Sequence, residues 1–494
     1  GNKEFSVPPH IALGTVNWQI VRLVPTTNVS PSGVVTQGTP LEFTGNLTNL
    51  SPPHDIMAAL TRTSVSFLRD NKEIGRTDLT YDDEGAHQLS SYMYGTKIQP
   101  MVISTEGARA YIAGSENLIY VIDLITFELY ETIHIPAGQN IASLAVAGQV
   151  LIIGEGRAYS TESNYRLLAL DIYPTKNSQL NTPVMLQAQN FPSAPNGFAG
   201  MTVGSDGVTL VVAAPQKSTS WSNVGTSSPK GDVLIFNLST LNLSTGQIKT
   251  PVIAQLPSDG ISLKGPRLIS ATNDPDHYLV SSPNDYARGI STLVLTRDEN
   301  SLVVSGALTA LNMEQPANKV KFDRLNILRA DGAVLVERDG VEYALVADNN
   351  HPYNDPCFQA MFETPLFAQL SPVGPPTAVG GSASAKPVNV GGKIGIIRDP
   401  FGKLAAPVYL GATIPFHGYG FTNLSLGVNS QLIVQLISIP TILDGQAEKP
   451  HKTCVWDADK LIQAALEQPE SEHLMKPIKP QDVNGSNSFL CEFK

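Results

Sequence analysis

Apolar and polar positions are most regularly ordered between Arg109 and Gly138, where RAYIAGSENLIYVIDLITFELYETIHIPAG holds three short apolar runs separated by polar turns. RAYIAG and LIYVIDL are rich in Val, Ile, Leu and Tyr, LYETIHIP alternates apolar with polar, and GSEN and ITFE supply the residues of tight hairpins. β-Branched and aromatic side chains suit a pleated surface, and a period of two sends successive side chains to opposite faces, so the stretch predicts three strands of an antiparallel meander. MVISTEG, just before it, supplies a fourth. A meander that is apolar on both faces needs a neighbour on each side, which predicts a radial array of such sheets.

The order recurs. IASLAVAGQVLIIGEG, YRLLALDIYP and PVMLQAQ form a second unit, and GMTVGSDGVTLVVAAP, GDVLIFNLS and PVIAQLP a third. RLISATNDPDHYLVSSP, GISTLVLTRD and SLVVSGAL make a fourth. A fifth, GAVLVERDGVEYALVADNN, is interrupted before GKIGIIRDPFG and PVYLGAT; a sixth runs from FTNLSLGVNSQLIVQLIS to HKTCVWDADKLI. The repeat resembles the YVTN-type β-propeller family, whose blades read as an inner strand, a D-G turn, YVAN, then V-x-V-I-D and a T-G turn. The matching positions are Glu106 and Gly107, Tyr111 to Gly114 and Val121 to Asp123 in the first unit. In the third they are Asp206 and Gly207, Val211 to Ala214 and Val233 to Asn237. The resemblance implies an all-β propeller over residues 97–460, with six blades, or seven, and an excursion from the fifth at about 351–390. Two stacked sheets share the same short-strand spacing and form the alternative.

Residues 15–96 follow another pattern, after an N-terminal extension over 1–14. VVTQGTPLEFTGNLTN gives one strand and TSVSFLRDNKEIGRTDLTYDDEGAHQLSSYMY three more, with Val65 and Phe67 on one face and Ser64 and Ser66 on the other. Half-buried strands at this spacing suggest a small sandwich. The segment resembles the bacterial immunoglobulin-like domains of surface adhesins, through Val65 and Phe67, Asp70, Ile74 and Gly75, and Asp83, Gly85 and Ala86; it departs at Asn71, where Gly is usual, and at His87. That resemblance implies an extracellular or cell-surface setting, with a β-sandwich as spacer before the ring. At the other end, Leu461, Ile462, Ala465 and Leu466 have helical spacing ended by Pro469, so 461–494 reads as a short helix and a tail.

Composition narrows the partners. The 494 residues are 42% hydrophobic, enough for buried cores, and the net charge is −11 with no block of Lys and Arg, which excludes nucleic acid and anionic membrane surfaces. The longest apolar run, LIVQLISIPTIL, is too short to span a bilayer, so no membrane insertion is expected in this segment. The chain opens at Gly1 with no charged-then-apolar leader, which reads as a processed form or an excised piece. Cys357, Cys454 and Cys491 match no zinc spacing; a Cys454–Cys491 disulfide and three unpaired thiols both remain open.

No G-x-S-x-G, P-loop, H-E-x-x-H or dinucleotide fingerprint occurs. The densest polar stretch is VADNNHPYNDPC, where Asp348, Asn350 and Asp355 are candidate ligands for Ca2+, which takes six or more oxygens. Tyr353 stands where an EF-hand needs Gly, and the alternative is a turn in which Asn and Asp bond their own backbone. No other cofactor is implied. His351 and Tyr353 in that stretch, Trp221 in QKSTSWSNVGTSSPKG and His417 in PFHGYG are candidate ligand contacts, because long excursions from a rigid scaffold and exposed aromatics commonly carry recognition. NDPDH and YDDEGAH read as solvated acidic turns.

The expectation is a non-enzymatic extracellular binding or adhesion module that presents propeller loops to a glycan or protein. The alternatives are a secreted lactonase-like hydrolase with a channel calcium, and a structural subunit of a surface assembly. The inner strands MVIS, SLAVAG, MTVG, RLIS and NLSLG offer few carboxylates for a channel metal.

Overall fold

The computed structural model describes residues 28–29, 35–36, 57–60, 64–69, 72–78, 101–104, 108–114, 117–135, 141–156, 165–172, 183–188, 197–214, 232–255, 268–281, 289–298, 301–313, 330–348, 391–413, 416–417, 419–426, 431–438 and 452–467. Six antiparallel sheets follow one another along them. Blade 1 is built from Met101–Ile103, Arg109–Ala113, Leu118–Asp123 and Leu129–His134. Blade 2 has Ile141–Ala147, Val150–Glu155, Leu167–Asp171 and Val184–Met185. Blade 3 has Met201–Val203, Thr209–Ala214, Asp232–Asn237 and Val252–Gln255, and blade 4 has Leu268–Ala271, His277–Ser281, Ile290–Asp298 and Ser301–Ala310. Blade 5 has Ala330–Arg338, Val341–Asp348, Gly391–Arg398 and Val408–Ala412, with Phe416–His417 added beside Gly391 and Gly392. Blade 6 has Tyr419–Leu426, Gln431–Ser438 and Lys452–Asp457. In every blade the strands pair in chain order, the meander expected from the repeat.

Period two explains how a blade joins both neighbours. Arg109–Ala113 is buried along its whole length. Its alternate residues Tyr111 and Ala113 enter the core shared with Ile141, Leu144, Leu151 and Ile153 of blade 2, while Ala110 and Ile112 enter a core on the opposite face. The same division places a separate apolar core at each successive junction, from blades 2 and 3 to blades 5 and 6. Fully burying one Leu or Ile stabilises by about 1.5–3 kcal/mol, so these junctions dominate the energetics.

What covers the far face of blade 1 differs from the expectation. Met57–Leu60, Ser64–Arg69 and Lys72–Asp78 form a three-stranded antiparallel sheet. Val65 and Phe67, both 0% exposed, share a core with Ala110, Ile112, Tyr120 and Ile122 of blade 1. Phe127, in the outer turn of blade 1, lies 5.2 Å from the Phe67 ring, and its carbonyl accepts a 2.6 Å bond from Thr77 Oγ1. Gly75 is required there, since a Cβ would stand 2.2 Å from the Phe127 ring. The strands expected at the centre of a free-standing sandwich over 15–96 are therefore docked on the ring, as a seventh sheet in the series. The reason is that Ala110 and Ile112 need an apolar cover, which Val65 and Phe67 supply. Apart from a two-stranded ribbon at Asn28–Val29 and Val35–Thr36, the rest of 15–96 lies outside the described residues.

Two devices protect the outer rim. The outer strand of blade 2 has only two residues, and blade 3 reaches back to cover its end: Gln187 N–H donates to Gly246 O (2.8 Å) and Ile248 N–H to Gln187 O (3.0 Å). The contact needs Gly246, at φ +74°, because a Cβ would meet Met185 O at 2.0 Å. In blade 6 a helix, Ala458–Leu466, follows the third strand, capped by Asp457 accepting from Lys460 N–H at 3.0 Å. It buries Leu461, Ile462 and Ala465, apolar positions of the expected helix, against Val334, Tyr343, Leu432 and Trp456. Arg338 of blade 5 ties it down, donating to Asp459 O at 3.0 Å and to Gln463 Oε1.

If the N-terminal sheet shares the core of blade 1, Phe67→Ala destabilises the ring itself by about 3–5 kcal/mol. Urea unfolding followed by far-ultraviolet circular dichroism is expected to show the main transition at lower denaturant. A main transition left in place, with a minor early one, would mean that the sheet folds apart.

Candidate functional site

The meander gives the ring two faces. Turns between first and second strands, and between third and fourth, emerge on one face; connections between second and third strands, and passages to the next blade, emerge on the other. The second face carries the long connections, from Ala214 to Asp232 in blade 3 and from Asp348 to Gly391 in blade 5. In blade 1 the same position is a tight turn, with Gly114 N–H donating to Leu118 O at 2.8 Å.

Ion pairs with a fully buried acid stand at the roots of the second-to-third-strand connections in blades 5 and 2. Asp348 ends the second strand of blade 5 opposite Lys393 in register, with Lys393 Nζ 3.5 Å from Asp348 Oδ2 and both side chains buried. In blade 2, fully buried Glu155 accepts from Arg166 Nε at 2.9 Å, Nη2 at 2.6 Å and the Arg166 backbone N–H at 2.9 Å. The side-chain bond to Glu155 raises the Arg166 pKa, against the lowering effect of burial. A buried charge without a partner costs several kcal/mol, so each pair fixes the point at which strand pairing stops and the excursion begins.

Asp348, one of the candidate calcium ligands, thus has Oδ2 beside an ammonium group. The other residues proposed for that stretch, Asn350, His351, Tyr353 and Asp355, and Trp221 in blade 3, lie outside the described residues. His417 sits in the short strand that pairs with Gly391, so its backbone stands at the same corner of blade 5 as Asp348 and Lys393. Among the described residues no group of three His, Cys, Asp or Glu side chains is placed to hold a metal ion. The residues missed in sequence are Glu155, Arg166 and Lys393; their signal was an acidic residue ending a second strand and a basic one opening the third.

Across the opposite face runs an ionic seam joining three blades. Asp206, in the D-G turn of blade 3, accepts from Val208 N–H (3.1 Å), Thr209 N–H (2.9 Å) and Thr209 Oγ1 (2.6 Å), and from Arg297 Nη2 of blade 4 at 3.0 Å. Arg297 also donates to Pro275 O at 2.9 Å and to Asp276. Asp274 lies 2.7 Å from His277 Nδ1 and 3.7 Å from Lys403 Nζ of blade 5, and Lys403 in turn meets Glu342 at 2.8 Å. His277 stacks against Phe401 of blade 5, with ring centroids 4.5 Å apart. NDPDH, expected to be a solvated acidic turn, is thus the middle of a joint between blades. Within blade 5, Asp399 accepts three backbone N–H groups, from Lys403, Leu404 and Ala405, at 2.8, 2.7 and 2.6 Å.

Burial alone would raise these carboxyl groups, but it is outweighed. Thr209, Val208 and Arg297 hold Asp206 below the usual carboxylate range, Asp276 N–H with His277 and Lys403 does so for Asp274, and the turn amides do so for Asp399. Burial pushes the Tyr278 phenol up, and its hydroxyl donates to Pro275 O at 2.9 Å. The acids and bases of the seam are spent on one another, which suits a structural joint.

The sheet order and the core at each junction define this chain as an all-β propeller. No protein-family model matches it, and no characterised protein matches its sequence. Solved structures of similar fold include the Kuenenia stuttgartiensis hydrazine synthase, 11% identical over 79% of this chain and 84% of that one, with a TM-score of 0.44. The β-propeller domain of Cps50 (Swd1) from Myceliophteria thermophila is 10% identical over 79% of this chain and 91% of its own, TM-score 0.45. Dihydro-heme d1 dehydrogenase NirN, in complex with DHE, is 13% identical over 82% and 71%, TM-score 0.40. None of these likenesses carries an activity to this chain.

The seam gives a pH dependence of definite sign. A carboxyl whose folded pKa is depressed stabilises the fold above its unfolded value, here the ordinary 3.8, and that contribution is lost as pH falls through the folded value. The melting temperature is expected to fall as the pH drops below about 4, and Asp206→Asn to weaken that acid-induced fall while lowering stability at neutral pH by about 1–3 kcal/mol. Equal acid sensitivity in the variant would show that Asp206 does not contribute.

Proposed function

We propose that this protein is a non-enzymatic binding module of the YVTN propeller type that holds a glycan or protein ligand on the face from which the long second-to-third-strand connections leave. The carrying observation is the buried pair Asp348–Lys393 at the root of the longest connection, a rigid base for the stretch containing His351 and Tyr353. Glu155–Arg166 supports the reading with a second anchored root on the same face. The first strands of blades 1 to 4, MVI, IASLAVA, MTV and LISA, carry no ionisable side chain, which favours this reading over a hydrolase built around a channel calcium.

The test is a glycan array probed with the full chain, alongside Trp221→Ala and Tyr353→Ala. Binding by the parent, reduced about tenfold or more in at least one variant with melting unchanged, is the expected result. No glycan bound, together with calcium-dependent hydrolysis of lactone substrates, would overturn it.

A further inference from the structure

The outer strand of blade 4, Ser301–Ala310, is ten residues long and ends its sheet. Its sequence, SLVVSGALTA, contains no charge and no proline, the residues that usually stop one sheet edge from pairing with another. The other outer strands are shorter, and most are guarded. Leu129–His134 carries Glu131, Val184–Met185 is followed by the Gln187 contact, and Val408–Ala412 lies beside the C-terminal helix.

The register shows which backbone groups face outward. Leu311 N–H donates to Ile290 O across the sheet, and Thr309, Ala307 and Ser305 stand opposite Thr292, Val294 and Thr296. In an antiparallel ladder the direction of the backbone groups alternates, so Gly306, Leu308 and Ala310 turn their N–H and C=O, and Val304 its C=O, away from the neighbouring strand, as far as the register shift between Ser305 and Ser301. The edge is apolar as well as open: Val304 is 48% exposed.

We propose that this edge pairs with the same strand of a second copy of the chain, antiparallel about a two-fold axis through Gly306. Outward-facing residues then meet outward-facing residues: Gly306 opposite Gly306, and Val304 opposite Leu308 on both sides of the axis. Ser305 and Ala307 form the intervening pairs. An isologous contact must fit itself, and an uncharged strand brings no like charges together. An unrelated extended peptide would be selected by pockets or charges along the edge. Ser305, Ala307 and Thr309, the exposed side chains beside Val304, supply neither, so a second copy is the occupant that the strand fits. The contact is one strand wide, so the association is concentration-dependent.

Sedimentation velocity on the full chain over a dilution series tests this, with Val304→Lys and Ala307→Lys as edge variants and Val408→Lys as a control on the outer strand of blade 5. The parent and V408K are expected to shift from monomer to dimer with rising concentration, while both edge variants stay monomeric. Hydrogen exchange on the unmodified chain gives a readout that needs no variant. The amides of Gly306, Leu308 and Ala310 are expected to slow about tenfold or more between dilute and concentrated samples, while exposed amides elsewhere keep their rates. A parent that stays monomeric with these three amides unchanged, or a dimer that survives both edge substitutions, would overturn the proposal.

Discussion

Every blade depends on one constraint: its middle strands are apolar on both faces, so no sheet can stand alone. Arg109–Ala113 shows it in five residues, with Tyr111 and Ala113 committed to blade 2 and Ala110 and Ile112 to the N-terminal sheet. The constraint passes from junction to junction as far as the helix Ala458–Leu466, which fills the outer position of the last blade with Leu461, Ile462 and Ala465. Polar bonding follows from this packing. The Asp206–Arg297–Asp276 and Asp274–Lys403–Glu342 links occupy the rim of junctions already closed by apolar cores, where they set the register of neighbouring blades.

The two faces of the ring are built differently for the same reason. Where a connection is a short turn, its Asp or Asn can bond its own backbone or the next blade, as Asp206 does. Beneath the second-to-third-strand connections of blades 2 and 5 a buried acid meets a base, half-buried Arg166 in blade 2 and buried Lys393 in blade 5. The turn face thus belongs to the stability of the ring, and the opposite face is open to variation. This division is why recognition is proposed for the side from which the blade 3 and blade 5 connections leave.

Much of this was legible in the chain. The meander, its repetition, the six units from Met101 onward and the helical spacing at Leu461 to Leu466 all follow from local periodicity, which records which side of a strand is buried. Periodicity cannot say what buries it. Val65 and Phe67 were read correctly as facing one way, yet their partners Ala110 and Ile112 lie some forty residues downstream, and a short sandwich strand has the same pattern as a blade strand. The seam was hidden for a similar reason: NDPDH looks like a solvated turn until Arg297 and Lys403 arrive from elsewhere in the chain. In sequence Asp348 reads as a calcium ligand or as part of a turn, because its polar neighbours adjoin it, whereas Lys393, which it faces in the structure, lies across the whole excursion.

Native-state hydrogen exchange over a denaturant series tests the shared-core account most directly, because it reports the opening free energy of each strand separately. If the N-terminal sheet belongs to the ring, the amides of Ser64–Arg69 and those of Arg109–Ala113 converge on the same opening free energy with the same denaturant dependence. Opening of Ser64–Arg69 at a lower free energy, with Arg109–Ala113 remaining protected, would contradict it.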